Sequence, residues 1–139
     1  MVSARAARVM VPAKRGLIVN ISHWAAQKRI GNAIYGVSKA ATDKLTADTA
    51  RELEAHGVTV VSLYPGMVRT EAVLAAAEWL DLSNSESPEF VGRVVAALAA
   101  DPRLKERTGS VLVAAAVAVE LDVSDIDGRR PVPLSIDNV

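Results

Sequence analysis

Tyr35 and Lys39 stand four residues apart in the segment Tyr35-Gly36-Val37-Ser38-Lys39. On a helix that spacing projects both side chains from one face. A free tyrosine has a pKa of about 10 and does not readily cycle its proton at neutrality. An ammonium beside a phenol favours the phenolate. Such a pair could therefore give and take a proton in carbonyl and alcohol chemistry. The same spacing also describes a solvated helix face, and by itself it does not choose between the two.

Two more groups stand where they could join the pair. Ser22 lies thirteen positions before Tyr35 and follows the run Leu17-Ile18-Val19-Asn20-Ile21. That run is short, apolar and β-branched, as strands buried on both faces of a parallel sheet are. The C-terminal end of such a strand faces the ligand crevice of an open sheet. A hydroxyl there can donate to a carbonyl oxygen, or it can simply bond its own loop. The segment Pro65-Gly66-Met67-Val68-Arg69-Thr70 leaves the next apolar run, Val58 to Leu63, in the same sense. Gly66 would let a ligand approach the main chain. A plain strand-to-helix turn is the other reading.

The elements that must position these residues alternate. Residues 1–13 read as a short helix with Val2, Val9 and Met10 as its apolar positions, closed by Pro12 and Gly16. After the first strand and a loop over 23–32, a long helix is predicted from about Ala33 to His56. Ile34, Val37, Ala41 and Leu45 make one apolar stripe along it, and Gly57 suits its C-terminal cap. The second strand ends at the Pro65-Gly66 turn. A short helix over 71–81 carries Trp79 and Leu80. Ser87-Pro88-Glu89 opens another helix, which runs through Ala100. Gly109 to Val113 forms a third strand, an Ala-rich helix follows, and the tail from Asp122 is loop-like. Alternation of this kind predicts an α/β fold with a parallel sheet. Three strands make a thin sheet, so the chain reads as a single partial domain of a larger unit.

Composition narrows the function classes. Of 139 residues half are hydrophobic, which predicts a packed core. Lys+Arg and Asp+Glu both number 16, so net charge gives no reason to expect nucleic acid or an anionic membrane as partner. No acidic residue precedes Asp43, a bias that transit peptides share. The strand-like run at Gly16 begins too early for a removable leader, however, and Arg5 and Arg8 interrupt any secretory signal. The longest apolar run, Val111 to Val119, is far short of the roughly 20 residues that span a bilayer. There is no cysteine, which excludes disulfides and thiolate chemistry. A cytoplasmic protein is expected.

Taken in order, strand-Asn20-Ile21-Ser22, Tyr35-x-x-x-Lys39 and strand-Pro65-Gly66-x-Val68-x-Thr70 resemble the short-chain dehydrogenase/reductase family. The resemblance runs from Gly16 through Thr108-Gly109-Ser110-Val111. Within the family, Tyr35 to Ala41 and residues 122–129 look similar to the branch called dehydrogenase/reductase member 1-like. The resemblance implies a Rossmann-type parallel sheet with flanking helices and an NAD- or NADP-dependent carbonyl/alcohol oxidoreductase. It implies Tyr35 as general acid and base, with Lys39 easing its proton transfer and bonding the nicotinamide ribose. It also implies Ser22 as the group that polarises the substrate carbonyl, and Pro65, Gly66, Val68 and Thr70 as the nicotinamide side of the site. Helices 1–13 and 33–56 correspond to those that pair subunits, so a homodimer is expected.

The pattern is broken in two places. Where the family often has a second serine, this chain has His23, either a second proton carrier or an ordinary loop histidine. The glycine-rich phosphate turn, the cofactor-selecting strand and the family's asparagine would all lie before residue 1, so only the C-terminal half of the fold is expected here. That leaves a rival reading, an inactive fragment that associates with other subunits. Trp79, Leu80 and Phe90 fall where the family places a substrate lid, or else they pack in the core. Asn20-Ile21-Ser22 matches a glycosylation acceptor but ends a buried strand. His23 and His56 are too few for a metal site.

Overall fold

A computed structural model of the chain describes residues 2–139. The first helix, α1, spans Val2–Ala13, and Lys14 beyond it turns left-handed at φ 51°. Strand β1 is Gly16–Ile21, helix α2 is Ala33–Leu53 and strand β2 is Val58–Tyr64. Two short strands follow, β3 at Met67–Val68 and β4 at Ser85–Glu86, with helix α3, Glu71–Ala75, between them. Helix α4 covers Pro88–Ala100, strand β5 Val111–Val113 and helix α5 Ala114–Glu120. Among the described residues no helix is long and apolar enough to cross a membrane.

β1, β2 and β5 form a parallel sheet in the order β1-β2-β5. The alternation of side chains along a strand builds two cores from it. Ile18, Val58 and Val60 pack with Ala50 and Leu53 of α2 and with Ala6, Ala7, Met10 and Val11 of α1. Leu63 packs on the other face with Phe90, Val94 and Leu98 of α4 and Ala114, Val117 and Ala118 of α5, joined by Leu17 and Val19. Helices on both faces of a parallel sheet are the Rossmann-type arrangement.

Three expectations change. β1 is not buried on both faces: only Ile18 is buried, and Ile21 is 47% exposed. It is an edge strand among the described residues, whereas β2, in the middle, is buried at all seven positions. The stripe on α2 does not face the sheet. Ile34 and Val37 are 80% and 67% exposed, and the helix buries Thr46, Ala50 and Leu53 instead. On α1, Val2 and Val9 are likewise exposed, whereas Met10 packs against the core as expected, with Ala6, Ala7 and Val11.

The predicted helix over 71–81 is interrupted. α3 lasts five residues and a single 3₁₀ turn, Ala77–Trp79, follows it. The helix opened by Ser87 ends at Ala100 as its cap residues predict, with the Ser87 hydroxyl accepting from Phe90 N at 2.9 Å.

The tail is less free than its composition suggests. Arg69 donates to the Ser85 carbonyl at 2.8 Å and to Asp125 at 3.1 Å. Asp125 is buried and also accepts from the Ser87 main chain at 2.8 Å and from the Ser87 hydroxyl. One carboxylate thereby ties the tail to the start of α4 and to the loop after β2. Glu86, paired in β4 with Val68, is 1% exposed, and its Oε2 has no partner. Burial pushes its pKa up to about 7, with the Gly66 main chain opposing and Asp125 adding to the rise.

Phe90 is fully buried, while Trp79 is 85% exposed. Chemical denaturation should show Phe90→Ala losing about 3–5 kcal/mol and Trp79→Ala changing by about 0.5 kcal/mol or less. Equal losses would contradict this core. Glu86 holds its proton more tightly folded than unfolded, so its stabilising contribution is complete below pH 4.5 and drains away as pH rises towards 7. Glu86→Gln, which cannot ionise, should gain on the wild type by a few kcal/mol between pH 5 and pH 8. A difference independent of pH would mean that Glu86 is not buried as described.

Candidate active site

The chain leaves β1 and β2 at the same end of the sheet, because Ile21 pairs with Leu63. Ser22 N extends the ladder by donating to Leu63 O at 2.9 Å. His23 then caps the 3₁₀ turn Trp24–Ala26, its Nδ1 accepting from Ala25 N at 3.1 Å. Asn32 caps α2 by accepting from Tyr35 N at 2.9 Å, which places Tyr35 in the first helical turn. Gly36 lets that turn come close: a Cβ there would stand 3.2 Å from the Ala25 carbonyl.

Lys39 follows one turn later. Its Nζ lies 5.5 Å from the centre of the Tyr35 ring and donates to Ile21 O at 3.4 Å. The end of β1 therefore helps to hold the ammonium over the tyrosine. Ser22 lies beneath, 2% exposed, and its hydroxyl donates to the Lys39 carbonyl at 3.2 Å. That bond fixes α2 against β1, and in this conformation the Ser22 proton is directed at main chain rather than at a ligand.

Ser22, Tyr35, Lys39, Pro65, Gly66, Val68 and Thr70 all border one cleft of about 690 Å³. These seven residues come together there, while Trp79, Leu80 and Phe90, the candidate lid, do not line the cleft. Thr70 also caps α3, accepting from Val73 N. Gly66 has a reason beyond ligand approach, since a Cβ would stand 2.9 Å from Glu86 Oε1. His23, Lys28 and Arg29 join the lining, and no carboxylate side chain does. A cavity of similar size, about 740 Å³, lies at the opposite ends of the strands around Arg15, Thr59 and Asp101. Its lining holds no tyrosine and lysine together. Among the described residues no three His, Cys, Asp or Glu side chains group to hold a metal.

The chain has two tyrosines, and their surroundings separate them. Tyr64 is fully buried, lies edge-on to Trp24 at 5.2 Å, donates to Asp43 and accepts from Gln27 at 3.3 Å. Burial first, and the bond to Asp43 second, push its pKa up to about 12. It stays protonated and braces α2 against the end of β2. Tyr35 is 38% exposed in the cleft. Sequence reasoning missed the Asp43–Tyr64–Gln27 network; Asp43, the first acid in the chain and placed on a predicted helix, was its one available signal.

For a nicotinamide nucleoside, Pro65 and Val68 are apolar members of this lining and Tyr35 and Lys39 are the side chains that could donate hydrogen bonds.

The family described as short chain dehydrogenase matches residues 1–81. The chain is 44% identical over 140 residues to mouse "Dehydrogenase/reductase SDR family member 1", covering 91% of this chain and 45% of that protein. It therefore spans about half the length of the relatives it matches. Its fold superposes on acetoin dehydrogenase from Enterobacter cloacae with a TM-score of 0.65 and 27% identity, over 80% of this chain and 46% of that one. A 4-hydroxyisoleucine dehydrogenase complexed with NADH and succinate matches with a TM-score of 0.63 and 26% identity, over 81% of this chain and 50% of the other. By its matched sequence, its sheet and the cleft at the strand ends, this chain belongs to the short-chain dehydrogenase/reductase family.

Proposed function

We propose that the chain is the catalytic half of an NAD(P)-dependent oxidoreductase that interconverts a ketone or aldehyde and an alcohol. The observation that carries this reading is the Tyr35–Lys39 pair, held at the mouth of the cleft with Lys39 Nζ 5.5 Å from the ring. In reduction Tyr35 gives its hydroxyl proton to the substrate oxygen; in oxidation it takes that proton back. Lys39 stabilises the phenolate left behind and bonds the ribose hydroxyls of the cofactor. Ser22 holds Lys39's helix against β1 at the floor of the site, and the resemblance read from the sequence implies that it polarises the carbonyl. Pro65, Gly66, Val68 and Thr70 form the nicotinamide side. The bound cofactor, NAD or NADP, supplies or accepts the hydride; the protein orients it. An NADH complex of the 4-hydroxyisoleucine dehydrogenase relative supports the cofactor class.

A second reading also has an observation behind it. Ile34, Val37 and Leu45 lie exposed along α2, and Val2 and Val9 along α1. We assign these helices to subunit pairing, which would hold even for a chain without turnover. A homodimer should then appear in sedimentation at micromolar concentration.

The glycine-rich turn that grips the pyrophosphate in this family is not in these 139 residues. Calorimetry of the chain alone should show NADH and NADPH binding weaker than about 10⁻⁶ M, and a tighter constant would show that this turn is dispensable. In protein carrying the nucleotide-binding segment, diacetyl reduction by NADH or NADPH tests the proton donor. Tyr35→Phe keeps the ring and removes the proton, so kcat should fall about 10²–10⁴-fold with cofactor affinity little changed. Lys39→Ala should damage both turnover and cofactor binding. Wild-type turnover in Tyr35→Phe would reduce the pair to a helix face.

A further inference from the structure

The carbonyl oxygen of a substrate has two lone pairs, and Tyr35 supplies one donor. Ser22, the expected second donor, is 2% exposed with its hydroxyl on the Lys39 carbonyl. The residue after it is placed differently. His23 lines the cleft, and its ring centre is 5.8 Å from that of Tyr35 at an interplanar angle of 52°.

The local backbone decides which nitrogen of His23 carries hydrogen. At φ −164° and ψ 158° the residue is extended and caps the turn Trp24–Ala26. Its Nδ1 accepts from Ala25 N, and a nitrogen that accepts carries no proton. In the neutral ring the proton therefore sits on Nε2, which has no hydrogen-bond partner among the described residues. Burial, and then the Lys39 ammonium, hold the pKa below 6.5. Lys28 and Arg29 are the other charged side chains of the cleft, and Lys28 Nζ donates to Ile136 O at 3.1 Å and to Val139 O at 2.6 Å. At neutral pH the ring is an uncharged donor locked in one tautomer, a state in which imidazole can polarise a carbonyl.

We propose that His23 Nε2–H, and not the Ser22 hydroxyl, is the second hydrogen-bond donor to the substrate's carbonyl oxygen, beside the Tyr35 hydroxyl. Ser22 then acts on α2, as a positioning residue. No proton leaves His23 in this role; it donates a hydrogen bond that strengthens as negative charge develops on the oxygen. The inference rests on the oxidoreductase reading above.

Two measurements test it. The chain has two histidines, so nitrogen-15 NMR of the imidazoles, with His56→Gln for assignment, isolates His23. The expected result is the Nε2–H tautomer at pH 7 and a titration midpoint below 6.5. A proton on Nδ1 would overturn the proposal. In protein carrying the nucleotide-binding segment, His23→Phe should lower kcat for diacetyl about 10²-fold with cofactor affinity unchanged. His23→Asn, which restores an N–H, should recover part of the loss. If Tyr35→Phe is crippled but His23→Phe keeps full kcat, this inference fails and the oxidoreductase reading stands. If Tyr35→Phe turns over like the wild type, the oxidoreductase reading itself fails. A Ser22→Ala variant with an unchanged thermal midpoint and a 10²-fold lower kcat would return the donor to Ser22.

Discussion

The parallel pairing of β1 with β2, in the register that sets Ile21 opposite Leu63, is the constraint on which the site depends. It brings the ends of both strands to one level. Ser22–His23 and Pro65–Gly66 then leave the sheet side by side, and the cleft forms between them. A slip of one residue would turn Ile18, Val58 and Val60 to the wrong core and move the two loops out of step. Burial on both faces of β2 makes such a slip costly, so the apolar core also sets the geometry of the cleft.

α2 is held to that frame by polar contacts as well as by Ala50 and Leu53 in the core. Ser22 bonds the Lys39 carbonyl, Lys39 bonds the Ile21 carbonyl, and Asn20, Thr46 and Ser62 share hydroxyl and amide bonds further down. Tyr64 and Asp43 add a buried pair. Apolar contacts tolerate sliding, whereas directed bonds at about 3 Å specify register. That suits a helix whose first turn sets Tyr35 into the cleft while Ile34 and Val37 stay exposed.

The opposite wall of the cleft is built the same way. Asp125 gathers Arg69, Ser87 and the tail, and Glu86 fills the space that Gly66 leaves open. Two carboxylates near each other have opposite fates. Asp125 receives several donors and its pKa is held low, against the burial that would raise it; Glu86 has an unpartnered oxygen and is pushed up. Hydrogen bonding, more than depth, separates them.

By itself the sequence determined the element types and the candidate residues. Apolar runs of strand length, Ser87-Pro88 at a helix start and the Tyr35–Lys39 spacing are local signals, carried by neighbouring residues. The gathering of Ser22, Tyr35, Lys39 and Pro65 to Thr70 at one end of the sheet was also legible, because parallel strands open at the same end. Orientation was not. Whether Ile34 faces core or solvent, whether Phe90 packs or covers a substrate, and whether the Ser22 hydroxyl is taken up by main chain depend on partners far along the chain. The short β3–β4 pair and the Arg69–Asp125 tie join residues separated by 18 and by 56 positions. No local pattern encodes such contacts. Only the tertiary structure decided them, because a side chain's partner is set by what the fold brings beside it.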